Sequence, residues 1–257
     1  MPLNPPVRNW KGRVVWVVGG SSGIGHAVAC DLARQGAKVV VSARNVQALD
    51  AFVARFPDSL ALPLDVTDVR AFEQAVGRIT QERGELELVL YCAGYFKAMR
   101  AQDYDLETML QHEQVNYVGA LNMLHAVLPP MRAQGAGHLS FVSSVAGFTG
   151  LPQSLAYGPT KAALTHLAEV LYQDLKPLGI HVSVVHPGFV ETPLTARNPF
   201  PMPAIQTPEQ AATAILNGWS RGRFEIHFPR RFTLTLKFLR LLPYRLYFAL
   251  VRRSTGL

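Results

Sequence analysis

VVGGSSGIGHAVACDLARQG, residues 17–36, decides how the rest of the chain is read. Its first residues end an apolar, β-branched run, RVVWVV at 13–18, whose composition suits a buried strand. Gly19, Gly23 and Gly25 follow with the spacing G-x-x-x-G-x-G, and an apolar-periodic pattern over 23–35 then suits a helix. Glycine lets the backbone turn tightly and approach a ligand closely. A helix that opens at such a turn points free N–H groups and the positive end of its dipole at whatever lies there, and a phosphate fits. A glycine trio alone is a weak signal. Between the first strand and the first helix of an alternating chain it marks a pyrophosphate cradle, with Ser21, Ser22 and Ile24 among the glycines.

Outward from that turn the same alternation repeats. KVVVSA (38–43), SLALPLD (59–65), LELVLYC (86–92), HLSFVSS (138–144), HVSVVHP (181–187) and FEIHF (224–228) read as strands. Helical patterns fill 45–56, 68–83, a stretch ending near 131, 156–178 and 207–219. The last opens with Thr207 as N-cap and Pro208 at the first helical position. The strands are nearly continuous apolar runs, as in a parallel sheet covered by helices on both faces. The expected fold is α/β: one doubly wound parallel sheet over residues 1–228, then a helical extension over 229–257. With 257 residues, 49% of them hydrophobic, the chain can bury one large core.

The net charge of +7 is unevenly spread. From Arg221 onward nine Lys and Arg face a single acid, Glu225, while the rest of the chain is close to neutral. A basic segment rich in Leu, Phe and Tyr points away from nucleic acid and toward an apolar, anionic surface. Cys30 and Cys92 have no metal-ligand spacing, so no metal site is expected; in apolar surroundings they read as reduced thiols of a cytoplasmic protein. Prolines in MPLNPPVRNWKGR leave no apolar run for a secretory or transit signal.

SLAYGPTKAAL, residues 154–164, carries the chemistry. Tyr157 and Lys161 stand at i and i+4, on one helical face. An ammonium near a phenol favours the phenolate and is expected to lower the tyrosine toward working pH. Such a tyrosine gives a proton to a carbonyl oxygen or takes one from an alcohol. Ser144, at the end of the preceding strand, offers a hydroxyl to the same oxygen. After the second strand come Ala43 and Arg44 where an acid would hold a ribose diol. A guanidinium there can grip a 2′-phosphate, which favours NADP over NAD. Asp65, beside Val66 after the third strand, can accept from an adenine amino group or cap the next helix.

Taken in order, Gly19/Gly23/Gly25, Ser144 and Tyr157-x-x-x-Lys161 resemble the short-chain dehydrogenase/reductase family, whose domain is a Rossmann-type sheet. The match spans about residues 10–228. It implies that Lys161 also bonds the nicotinamide ribose, and that HPGFVET (186–192) lies beside the nicotinamide through Pro187, Gly188, Val190 and Thr192, with Thr192 at the carboxamide. It also implies that Asn116, in EQVNYVGA, holds a water in a proton relay behind the lysine, and that Ala93 and Gly94 line the cofactor side. A homodimer or homotetramer built on the helices around 113–132 and 156–178 is implied too. Two departures from the family pattern matter. Val18 stands for a threonine, and Tyr91-Cys92 for two asparagines. The exchange of Val18 and Cys92 reads as one polar contact replaced by an apolar one, a change close to neutral when both partners go together.

The resemblance implies a lid in PLTARNPFPMPAIQTP (193–208), with Leu194, Phe200, Met202 and Ile205. Tyr95, Phe96, Phe148 and Leu151 are expected to add apolar walls, which suits a lipophilic substrate as well as ordinary loop packing. In the extension Lys237, Arg240, Pro243 and Arg245 break any membrane span. Phe232, Leu236 and Leu239 share one helical face, and Leu246, Tyr247 and Leu250 another beyond Pro243. That suits two short helices at a membrane surface, or equally a docking on the body or another subunit. The expected function is an NADP(H)-preferring oxidoreductase interconverting a lipophilic carbonyl and its secondary alcohol, cytoplasmic and with a membrane-associated tail. The alternative is a dinucleotide sensor or membrane-associated scaffold without turnover.

Overall fold

In a computed structural model, which describes residues 1–255 apart from Arg197 and Pro199, the valine-rich runs become one parallel sheet. Arg197 and Pro199 fall in the expected lid, and Gly256 and Leu257 end the expected extension; these four lie outside the described residues. The strands are β1 (Val14–Val18), β2 (Lys38–Ser42), β3 (Leu60–Ala61), β4 (Leu88–Tyr91), β5 (Gly137–Val142), β6 (Ile180–Pro187) and β7 (Glu225–Phe228), in the order β3-β2-β1-β4-β5-β6-β7. The chain leaves β1 toward one edge and returns to β4 on its other side. Strand order therefore reverses at β1, and a crevice opens beyond the carboxyl ends of β1 and β4.

The helices are α1 (Gly23–Arg34), α2 (Val46–Arg55), α3 (Val69–Arg83), α4 (Leu106–His112), α5 (Gly119–Gln134), α6 (Tyr157–Leu175), α7 (Pro208–Trp219), α8 (Arg230–Arg240) and α9 (Tyr244–Thr255). Side-chain alternation splits β1 between two cores. Val14, Trp16 and Val18 pack with residues of α3, α5 and α6, while Val15 and Val17 pack with residues of α1, α2 and α7. Thr207 caps α7 in a capping box with Gln210, as that segment predicts. At the other end of the sheet Asn4 donates to the Val182 carbonyl (2.8 Å), and Trp10 packs edge-on against Trp219 at 5.6 Å.

Three details differ from the sequence reading. The third strand keeps only two ladder residues: Pro63 has no N–H to donate. Leu62 and Leu64 still donate to Val41 and Ala43 (both 3.0 Å) along an edge where that loss is tolerated. The long helix expected to end near 131 runs to Gln134 and stops at Gly135, whose φ of +64° only glycine adopts freely. Between α4 and α5 it winds through a π-helical segment, Glu113–Val118.

In the extension, Phe232, Leu236 and Leu239, which periodicity left equally open to a membrane, the body or another subunit, pack on the body against Val145, Phe148 and Leu151. Tyr247, grouped with Leu246 and Leu250 by spacing, is buried, while those two leucines are exposed. Periodicity shows that a face is apolar; it does not say which surface covers it.

Candidate active site

At the carboxyl ends of β1 and β4 lies a cavity of about 510 Å³. Gly19, Ser21, Ser22, Gly23 and Ile24 form its floor, and Arg44, Asp65 and Val66 one end. Ala93 and Gly94, then Ser144, Tyr157 and Lys161, then Pro187, Gly188, Val190 and Thr192 complete it. Of the residues expected to contact cofactor, Gly25 alone does not line it. A Cβ on Gly25 would stand 2.2 Å from the Gly19 carbonyl oxygen, so this glycine lets α1 pack beneath its own loop.

The glycine turn has the shape of a cradle. Gly19 has φ +93°, and a Cβ there would meet the Ala93 nitrogen at 2.6 Å; Gly23 has φ +53°, and its Cβ would meet Thr192 Cγ2 at 2.8 Å. Loops after β1, β4 and β6 thus converge on backbone atoms that only glycine leaves uncovered. Ser22 makes no side-chain cap bond, and the first turn of α1 holds no acid. Its N–H groups and dipole are left for an anion, and these residues fit a dinucleotide pyrophosphate.

Arg44 is exposed at the cavity edge and makes no ion pair among the described residues. Asp65 spends one carboxylate oxygen on Thr67, accepting from its N–H (2.9 Å) and hydroxyl (2.8 Å). These bonds hold its carboxyl below the usual range, with Arg44 adding to the effect. Asp68, not Asp65, is the N-cap of α3.

Tyr157 opens α6 and Lys161 follows one turn later, its Nζ 5.4 Å from the Tyr157 ring centroid. The lysine is buried and donates to the Val142 carbonyl at the end of β5 (2.9 Å). Ser143 donates to the Lys161 carbonyl (2.7 Å), and Gly147 passes so close that a Cβ would stand 2.8 Å from that same oxygen. Strand β5, its following turn and α6 are thereby locked together with Ser144 between them. Burial lowers Lys161 to about 8. The expected lowering of Tyr157 is not found among the chain's own groups. Burial raises the phenol above its ordinary value, and a hydrogen bond with Ser144 opposes only part of that. The cost of desolvating a phenolate exceeds what a neighbouring hydroxyl returns.

Asn116 is fully buried in the π-helical segment and does not line the cavity. Its Oδ1 accepts from the Tyr95 N–H (2.7 Å), and its Nδ2 donates to the Tyr95 carbonyl (3.1 Å) and Thr160 Oγ1 (3.0 Å). The side chain therefore pins the loop after β4 to the residue preceding Lys161. Tyr91, where the family pattern has asparagine, is fully buried and donates to the Val115 carbonyl (2.6 Å) in the same segment. No spacing rule announces a π turn. Val18 is buried, and Cys92, held near 11 by burial, is a neutral thiol whose N–H bonds Val18 (2.8 Å).

Sequence reading missed Ser42, Leu64, Val115 and Thr195 in the lining. Thr195 Oγ1 accepts from the Thr192 N–H (3.1 Å) and donates to Val190 (2.6 Å), fixing the turn over Gly23. Tyr95 and Leu194 do line the cavity, and Phe96 sits edge-on to Tyr157 at 5.0 Å. Phe148 and Leu151 are not cavity walls: they pack beneath α8.

A family model described as short chain dehydrogenase matches residues 13–200. The chain belongs to the short-chain dehydrogenase family. It is thus an oxidoreductase of a family that binds NAD or NADP. An uncharacterized oxidoreductase of Myxococcus xanthus is 36% identical over 245 residues, 94% of this chain and 97% of that one. One of Staphylococcus haemolyticus is 32% identical over 208 residues, 80% and 90% of the two chains. The crystal structure of a short-chain dehydrogenase from Streptomyces avermitilis superposes with a TM-score of 0.80 at 25% identity, covering 95% of this chain and 97% of that one. As a short-chain dehydrogenase, the protein departs from the usual pattern at Val18, Tyr91 and Cys92, of which Val18 and Tyr91 are fully buried.

Proposed function

We propose that the protein is an NADP(H)-preferring oxidoreductase that interconverts a lipophilic carbonyl compound and its secondary alcohol. One observation carries this reading: Tyr157, Lys161 and Ser144 open onto the same cavity as the glycine cradle. NADP(H) supplies or accepts the hydride when bound. Tyr157 holds the proton at its phenolic oxygen, giving it to the carbonyl oxygen in reduction and taking it from the hydroxyl in oxidation. Ser144 orients that oxygen and stabilises the charge that develops on it. Lys161, held by Val142, supplies positive charge to the pair. Asn116 belongs to the relay behind it, a reading supported by its place beside Thr160 and Lys161. Arg44, unpaired at the cavity edge, supports NADP over NAD. Phe96 and Leu194 support an apolar substrate. A homodimer or homotetramer through α5 and α6 belongs to the same reading, supported by exposed Leu121 and Val170.

Tyr157→Phe tests it. Turnover of any accepted ketone should fall by roughly 10²–10⁴-fold while the NADPH dissociation constant stays near that of the wild type. Wild-type turnover by the variant would remove Tyr157 from the chemistry. A wild type that binds NADPH but reduces no ketone across a range of chain lengths would leave the sensor alternative instead.

A further inference from the structure

Residues 229–257 hold seven Lys and Arg and no Asp or Glu. Helices α8 and α9 carry them on two unlike faces. The inner face belongs to the body. Thr233, Leu236, Tyr247 and Val251 are buried, Lys237 pairs with Glu225, and the Tyr247 hydroxyl donates to the Gly150 carbonyl. The outer face is apolar and uncovered. Leu234, Phe238 and Leu241 stand at i, i+4 and i+7 and are 50%, 63% and 80% exposed. Tyr244 and Phe248 stack at 5.6 Å beside them, also exposed. Arg230, Arg231, Arg240, Arg245, Arg252 and Arg253 lie on the same two helices, all exposed and none in an ion pair among the described residues.

We infer that the outer face of α8 and α9 docks the protein on an anionic lipid surface. Apolar and aromatic side chains with long cationic ones on the same helices suit the headgroup boundary: the rings enter it, and the guanidinium groups reach phosphate. A second copy is the poorer occupant, because its matching face would set six unpaired arginines against six. No described helix is long and apolar enough to cross a membrane, so the contact lies along the surface. The inner face anchors this surface to the catalytic body. Phe232 packs 5.8 Å from Phe189, next to Val190 of the cavity, and Gly150 lies in the loop that leads away from Ser144. The inference does not depend on the cofactor or on turnover.

Co-sedimentation of the full chain with phosphatidylglycerol–phosphatidylcholine vesicles tests it, with the double variant Phe238→Asp/Leu241→Asp as control. Both substituted positions are exposed, and an unchanged melting temperature checks that the variant is folded. Binding is expected on anionic vesicles at low salt. It should weaken about 10-fold or more on pure phosphatidylcholine, at high salt, and in the double variant. Absence of binding to anionic vesicles at low salt overturns the inference. So does equal binding by wild type and variant. A wild-type dimer that the variant splits to monomer, without vesicle binding by either, would assign the face to a second copy and overturn it as well.

Discussion

At Arg44 the proposed preference for NADP rests on a single side chain. The position follows β2 directly, at the cavity edge, where Ala43 and Arg44 offer no carboxylate for a ribose diol. An exposed, unpaired guanidinium loses little on meeting a phosphate and gains a forked pair of charge-assisted bonds. NADPH should therefore bind at least about 10-fold more tightly than NADH, and Arg44→Ala should bring the two together, mainly by weakening NADPH. Paired fluorescence titrations measure both constants. Equal constants in the wild type would remove Arg44 from cofactor selection. Asp65, acidic and nearby, has one carboxylate oxygen engaged by its own turn at Thr67. Lys161 shows the opposite case: it is buried, already lowered to about 8, and tied to Val142. Its influence on Tyr157 cannot be read from the i, i+4 spacing alone.

At the scale of elements, α8 is latched to the sheet through Glu225. Glu225 in β7 lies 3.2 Å from His186 Nδ1 on the neighbouring strand and pairs with Lys237 of α8, whose ammonium also sits 5.3 Å above the Phe148 ring. Burial alone would raise the Glu225 carboxyl, but His186 and Lys237 outweigh it and hold it at about 2. A carboxyl depressed in the folded state gives stability that is present above its unfolded value, near 4.3, and lost as pH falls through the folded value. Glu225→Gln should thus cost stability at pH 6–7, and its deficit against the wild type should shrink as pH falls from about 5 toward 2. Denaturation midpoints of both proteins across that range give the comparison. A deficit independent of pH would mean that shape, not charge, latches the helix. The π-helical segment before α5 is a second such element. The Tyr91 hydroxyl donates to the Val115 carbonyl there, and the Asn116 side chain holds the Tyr95 loop.

Across the whole molecule, stability and cofactor binding sit at opposite ends of the sheet. The glycine cradle caps the carboxyl ends of the strands. Trp10, just before β1, is 3% exposed against Trp219 at the other end. Trp10→Ala should cost about 3–5 kcal/mol of stability through lost burial and the cavity it leaves. The NADPH dissociation constant of the folded fraction should stay within about twofold, because Trp10 does not line the cavity. Denaturation and titration of the same preparation test both halves. A large change in cofactor affinity would show that the two ends are mechanically coupled.

Within this chain the sequence determined what local chemistry can determine. Valine-rich runs buried on both faces make strands, Gly19 and Gly23 mark backbone that must stay bare, and Tyr157 and Lys161 lie one turn apart by helix geometry. Those signals placed the sheet, the cradle and the Ser144–Tyr157–Lys161 set, because each is written within a few residues. The tertiary structure decided whatever depends on a distant partner. Gly25 packs against Gly19 rather than lining the cavity, Phe148 and Leu151 lie under α8, and Phe232, Leu236 and Leu239 turn inward. An apolar periodicity is satisfied equally by lipid, by a second subunit or by the chain's own body. Long-range packing chose the body for the inner face of α8 and left Leu234, Phe238 and Leu241 uncovered.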